Sequence, residues 1–193
     1  MAVGAAPVRR RILGRMPSPD HASPPTTAAP AGGTQPTDPG WRADRIGAAL
    51  AGRNPTVIAH LPEGFACIGD TQFLPGYCVL LCDDPTVDRL TDLTRSRRAA
   101  YLTSMDVLGE AVERACRTLD PDFRRMNYEI LGNTDAYLHA HLFPRYEWEQ
   151  PWHRARPVWL YDPETFYGPA HALDARHDGI RAAITTELVA LTG

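Results

Sequence analysis

The chain contains no lysine; all 20 of its basic side chains are arginine. That absence removes a Schiff-base nucleophile, a P-loop lysine and a kinase-type phosphate lysine, each of which needs a primary amine that a guanidinium cannot replace. Cysteine is scarce. Cys67, Cys78, Cys82 and Cys116 form no CxxC pair and no dense framework, so a reduced, cytoplasmic setting is expected rather than a disulfide scaffold. No run of about 18 apolar residues occurs, which argues against a transmembrane helix. Ser18, Ser23, Ser96 and Ser104 stand outside any GxSxG elbow, and a serine hydrolase of that type falls with them. A large charge excess is missing too. A formal charge of −3 over 193 residues gives nucleic acid or an anionic membrane no net attraction, and neither is expected as a partner.

The composition that remains, 44% hydrophobic and 22% charged, is that of a globular protein with one core. Residues 1–40 are rich in Pro, Ala, Gly, Ser and Thr and carry too little apolar surface to offset chain entropy, so a disordered tail is expected there. Its opening VRRRILGR is too short in apolar residues for a signal-peptide core. From Trp41 to Gly193 the texture is that of a folded domain. TVIAHL and FACIGD read as short strands, and GYCVLLC (76–82) as a buried strand with Cys78 and Cys82 on one face. Leu102, Met105, Leu108, Val112, Cys116 and Leu119 recur at helical spacing before DPD, which marks the end of an amphipathic helix. RMNYEIL and AYLHAHLF follow as two strands joined by GNTD, a tight-turn composition. Leu173, Ile180, Ile184, Leu188 and Leu191 form the stripe of a C-terminal helix. This order predicts an α+β fold: an antiparallel sheet of about five strands, a long helix packed on one side, and a C-terminal helical extension.

Chemistry concentrates in NTDAYLHAHLFPRY (133–146). Side chains alternate along a strand, so Tyr137, His139 and His141 line one face while Leu138, Ala140 and Leu142 face the core. Imidazole is both a nucleophile and a proton carrier near neutral pH, and two held in register divide those tasks. Pro144 is expected to end the ladder for want of an N–H. Arg145, just beyond, is placed to bind phosphate.

With its neighbours, LGNTDAYLHAHLFPRY resembles the signature of the histidine triad (HIT) superfamily, His-apolar-His-apolar-His-apolar-apolar followed by Pro-Arg. FLPGYCVLL and DLT upstream resemble it in the same order, over roughly residues 56–161. The resemblance implies a HIT-like fold and a homodimer. It also implies that His139 attacks the α-phosphate of a nucleotide to give a nucleotidyl-histidine, with His141 contacting phosphate and leaving group. Asn127 and Asn133 fall where that family places amides around the phosphate, and Asp70 falls near its ribose-binding position. Tyr137 departs from the pattern, standing where the first histidine belongs. In that family the nucleophile's other nitrogen is oriented by a main-chain carbonyl near this position, so the resemblance implies that the orienting group survives the substitution, and the Tyr hydroxyl is expected to add a donor to the cleft. The implied reaction is hydrolysis or nucleotidyl transfer on a dinucleoside polyphosphate or nucleoside phosphoramidate. It requires no cofactor, although Mg²⁺ can accompany a polyphosphate.

Plainer readings stand beside these. With a degenerate triad the protein is a non-catalytic nucleotide binder. The H-x-H pair can also serve a metal-dependent enzyme, with His60, Asp135, Glu147 or His153 completing the ligand set. Asn133 in GNTD is equally a turn former, Asp70 a turn starter and Arg145 a solvated strand-end charge. Trp148 and Trp152 either pack or wall a base pocket.

Overall fold

The computed structural model describes residues 40–193. The tail expected over residues 1–40 therefore lies, apart from its last residue, outside the described residues. Five strands, β1 (Val57–Leu61), β2 (Gly64–Ile68), β3 (Cys78–Cys82), β4 (Phe123–Glu129) and β5 (His139–Tyr146), form one antiparallel sheet in the order β1-β2-β3-β5-β4. The helices are α1 (Arg45–Leu50), α2 (Arg95–Leu119), α3 (Pro151–Arg154), α4 (Pro163–Tyr167) and α5 (Asp178–Thr192). Fold class and strand number are those expected.

The two sheet faces have different fates. On one, Cys78, Leu80 and Cys82 of β3 and Ala140 and Leu142 of β5 are fully buried under α2. That helix turns Tyr101, Ser104, Leu108, Ala111, Val112 and Ala115 inward. Leu102 and Leu119, placed on its stripe by spacing, are exposed, because the buried arc runs through smaller residues that allow close approach. Two α2 hydroxyls anchor it to the sheet: Tyr101 donates to the Leu80 carbonyl (3.0 Å) and Ser104 to that of Pro62 (2.6 Å). At Gly109 the Tyr128 ring of β4 lies so near that a Cβ would sit 2.2 Å from its hydroxyl oxygen. α5 packs beside α2, with Ile184 and Leu188 buried; Leu173, assigned to its stripe, precedes the helix.

The opposite face is covered in two patches. Ile46 and Ala49 of α1 pack on Phe65, Cys67 and Leu81. The chain after β5 folds back, so that Trp159 and Phe166 lie against the His141–Phe143 part of the strand. Its return is pinned where Gln72 and Leu173 donate backbone N–H to His171 and Asp70.

Two local expectations fail around β5. The β4–β5 connection is a loop spanning 130–138 rather than a tight turn, so Tyr137 precedes the strand instead of lying on it. Pro144 does not stop the strand, which runs on to Tyr146. The β3 ladder ends at Leu142, and beyond it β5 pairs only with β4, so the missing N–H of Pro144 faces the side without a strand, the edge position proline tolerates.

Candidate active site

His139, first residue of β5, is 7% exposed. Its Nδ1 lies 2.9 Å from the main-chain carbonyl of Tyr137. A carbonyl only accepts, so Nδ1 carries the proton and the lone pair belongs to Nε2. The Tyr137 ring sits 5.0 Å from the His139 ring and inclined to it, and its burial together with Asp135 raises the phenol pKa, keeping the hydroxyl a donor.

His141 stands 4.8 Å from His139, edge to face. Its Nδ1 meets the Tyr77 hydroxyl at 2.7 Å. Burial pushes the Tyr77 pKa well up, so the phenol stays protonated and donates to Nδ1; the His141 proton then resides on Nε2. Phe143 stacks alongside and Trp159 abuts the ring at 4.8 Å. Burial, and then His139, push the His141 pKa down to about 3. Below about 6.5 the unfolded chain binds a proton that the folded chain refuses until about pH 3. Stability from this group is thus fully present above 6.5 and is lost as pH falls through that window. Over pH 7 to 5 the loss reaches about 2 kcal/mol. Urea unfolding at both pH values should show it, and the pH difference should shrink by that amount in His141→Asn; an unchanged difference would remove His141 as its source.

The other expected site residues divide. Asn127 lies on the histidine face but gives its Oδ1 to Arg145 Nη1 at 2.8 Å. A guanidinium only donates, so the amide orientation is fixed and Nδ2 is the donor end; one of its N–H groups meets the Met126 carbonyl at 3.4 Å and the other is left for a ligand. Arg145 is the clear correction. Its Nε and Nη2 grip Glu149 at 2.7–3.0 Å, Nη1 serves Asn127 and the Arg156 carbonyl, and Nη2 also serves the His153 carbonyl. All five N–H groups are spent inside the protein, leaving none for phosphate and no solvated strand-end charge. Asp70 is held bidentately by Arg45 of α1 at 2.6 and 3.1 Å. Asn133 is exposed in the long loop.

Neither tryptophan proposed for a base pocket meets the histidines. Trp148 stacks on Tyr146 and donates to Asp120, while Trp152 is 57% exposed beneath Arg156. Trp159, which donates to Glu129, is the tryptophan that meets His141. Glu129 pairs across the strands with His141. Tyr77, Trp159, Arg45 and Glu129 carry no local site signal in the sequence; strand alternation points to Tyr77 and Glu129 only once the register is known. As for metal, no three His, Cys, Asp or Glu converge as a ligand set among the described residues. His60 pairs with Asp83, Glu147 with Arg154 and Arg124, and His153 stacks on Tyr161.

A cavity of about 520 Å³ opens where Tyr137 and His139 meet Leu90 and the loop residues Ile130 and Leu131. Its size is that of a small-molecule site.

No family model and no curated protein matches the chain. Solved structures do. A histidine triad protein from Sinorhizobium meliloti aligns with a TM-score of 0.56 at 19% identity, over 72% of this chain and 93% of that one. One from Marinobacter aquaeolei gives 0.57 at 18% identity, over 70% and 90%. A chain from Sulfolobus tokodaii, described as a hypothetical histidine triad nucleotide-binding protein, gives 0.56 at 9% identity, over 76% and 91%. The protein has the histidine triad fold.

Proposed function

We propose that the protein is a nucleotide hydrolase or nucleotidyl transferase that works through a covalent bond to His139. The observation that carries this reading is the Nδ1 contact with the Tyr137 carbonyl, which frees Nε2 as nucleophile beside a cavity. The fold, and the nucleotide-binding name given to the Sulfolobus protein that shares it, support the substrate class: a dinucleoside polyphosphate or nucleoside phosphoramidate.

In the first step the Nε2 lone pair attacks the α-phosphorus, and the bond from phosphorus to the leaving atom breaks. A phosphate leaving group departs as an anion, whereas an amine departs after protonation from water. The imidazolium of the nucleotidyl-histidine keeps its Nδ1 proton on the Tyr137 carbonyl. Water then attacks phosphorus, the N–P bond breaks, the nucleoside monophosphate is released and His139 returns to its neutral form. His141 acts as an Nε2–H hydrogen-bond donor toward phosphate rather than as a proton source, because its ring stays neutral. Asn127 Nδ2 adds a second donor, and Asp70 faces the ribose while bound to Arg45. The four unpaired, buried thiols support a reducing, cytoplasmic compartment. The free edge of β4 with exposed Tyr128 supports pairing with a second copy.

Tyr137, by removing one imidazole, favours a second reading: a nucleotide binder without turnover. Acid-quenched mass spectrometry of the protein with a nucleoside phosphoramidate separates the two. A nucleotidyl-mass adduct mapped to His139 is expected; saturable nucleotide binding with neither adduct nor product would establish the binder instead.

A further inference from the structure

We infer that Arg45 sets the sugar specificity of the nucleotide site: by occupying Asp70 it leaves that carboxylate room for one ribose hydroxyl instead of two, so a nucleotide lacking one of them is accepted nearly as well as the ribonucleotide. This rests on the reading of His139 as the nucleophile and of Asp70 as the group facing the sugar. Arg45 Nη1 donates to Asp70 Oδ1 at 3.1 Å and Nη2 to Oδ2 at 2.6 Å, while Arg42 Nε reaches the same Oδ2 at 3.4 Å. An ionised carboxylate offers about four acceptor sites. Two donors on Oδ2 and one on Oδ1 leave a single site, on Oδ1. A vicinal diol needs two.

The fold builds this clamp, which is more than a loose surface pair. Arg45 is the first residue of α1, where Asp44 accepts the Gly47 N–H at 2.8 Å and Asn54 Nδ2 donates to the Arg45 carbonyl at 3.1 Å. Ile46 and Ala49 seat the helix on Phe65, Cys67 and Leu81, and Leu81 is the β3 residue paired with His139. The Arg45 guanidinium lies 5.0 Å from the ring of buried Trp41, and the side chains of Arg45 and Asp70 are 29% and 30% exposed. A planar two-point pairing of opposite charges in such a partly buried setting is stronger than the bond a neutral hydroxyl makes to the same oxygens, so a sugar does not displace the guanidinium. Burial and then Asp70 push the Tyr77 phenol well up, and at Tyr137 Arg45 opposes the upward push of burial and Asp135. The pair therefore acts within electrostatic reach of both phenols that flank the histidines.

The test compares the ribose, 2′-deoxyribose and 3′-deoxyribose forms of a nucleoside 5′-phosphoramidate carrying one constant amine, by kcat/KM, in the wild type, Arg45→Met, Arg45→Lys and the double variant Arg45→Met with Asp70→Ala. In the wild type at least one deoxy compound should stay within about threefold of the ribonucleotide, the low end of what a neutral hydrogen bond contributes. Arg45→Met frees acceptor sites on both oxygens, and both deoxy compounds should then fall roughly tenfold or more behind, the scale of a hydrogen bond to an ionised group. Adding Asp70→Ala should bring both back toward parity, and Arg45→Lys, a single-point donor, should fall between. Each figure is a ratio taken within one enzyme, so a loss of folded protein cancels. Loss of tenfold or more for both deoxy compounds in the wild type, or ratios unmoved by Arg45→Met, with turnover still dependent on His139, would overturn Arg45 as the determinant and leave the nucleophile standing. No turnover of any compound and no adduct would overturn both.

Discussion

Arg145→Met is expected to cost about 3–5 kcal/mol of folding stability, the penalty typical of breaking a buried ion pair. The side chains of Arg145 and Glu149 are 4% and 0% exposed. Besides Arg145, the Glu149 carboxylate accepts the Tyr161 hydroxyl (2.6 Å) and the Tyr146 N–H (2.7 Å). These partners hold its pKa below the usual carboxylate value although burial pulls it up. Methionine fills much of the space but supplies no donor, so Glu149 becomes a buried charge lacking its counter-ion and the carbonyls of His153 and Arg156 lose a partner. Urea unfolding at pH 7 measures the effect. Combining Arg145→Met with Glu149→Leu should recover part of the loss, because most of the penalty belongs to the stranded carboxylate. A phosphate-binding arginine would behave differently, with nearly unchanged stability and a salt-dependent loss of nucleotide affinity; a stability change under about 1 kcal/mol would restore that role.

The gap between Arg145 as read from sequence and as found in the fold shows what sequence patterning carries. Alternation in LHAHL correctly assigned Leu138, Ala140 and Leu142 to the core because burial acts on each residue separately. It also put both imidazoles on one face. The identity of a charged group's partner is a different kind of information. Glu149 lies four residues after Arg145, beyond the end of β5, and meets it only because the chain turns at Tyr146–Glu149. Tyr77 and His141 are 64 residues apart and come together through the β3–β5 register, which no local pattern encodes. The helix stripe fails at Leu102 and Leu119 for a related reason: small residues such as Ala111 and Ala115 bury well against a sheet but give no hydrophobic signal. The composition of GNTD suits a tight turn, whereas the loop it belongs to is long and its residues Ile130–Gly132 line the cavity.

His139→Ala should lower kcat/KM by roughly 10⁴-fold or more, the scale of removing a covalent nucleophile, while leaving nucleotide affinity within a few-fold. Its backbone pairs with Leu81 of β3 without involving the ring, so β5 persists. His141→Asn should cost far less, about 10- to 100-fold, since it removes one hydrogen-bond donor and not the attacking atom. The sharper control is at the residue that departs from the triad. Because the Tyr137 carbonyl and not its side chain orients Nδ1, Tyr137→Phe should hold kcat within a few-fold, and Tyr137→His should not be needed to create activity. Single-turnover kinetics of His139→Ala, His141→Asn and Tyr137→Phe against the wild type, with affinity measured separately, would order them. A His139→Ala enzyme within tenfold of wild type would mean that some other atom bonds to phosphorus, and the order imposed by the Tyr137 carbonyl would then have no catalytic purpose.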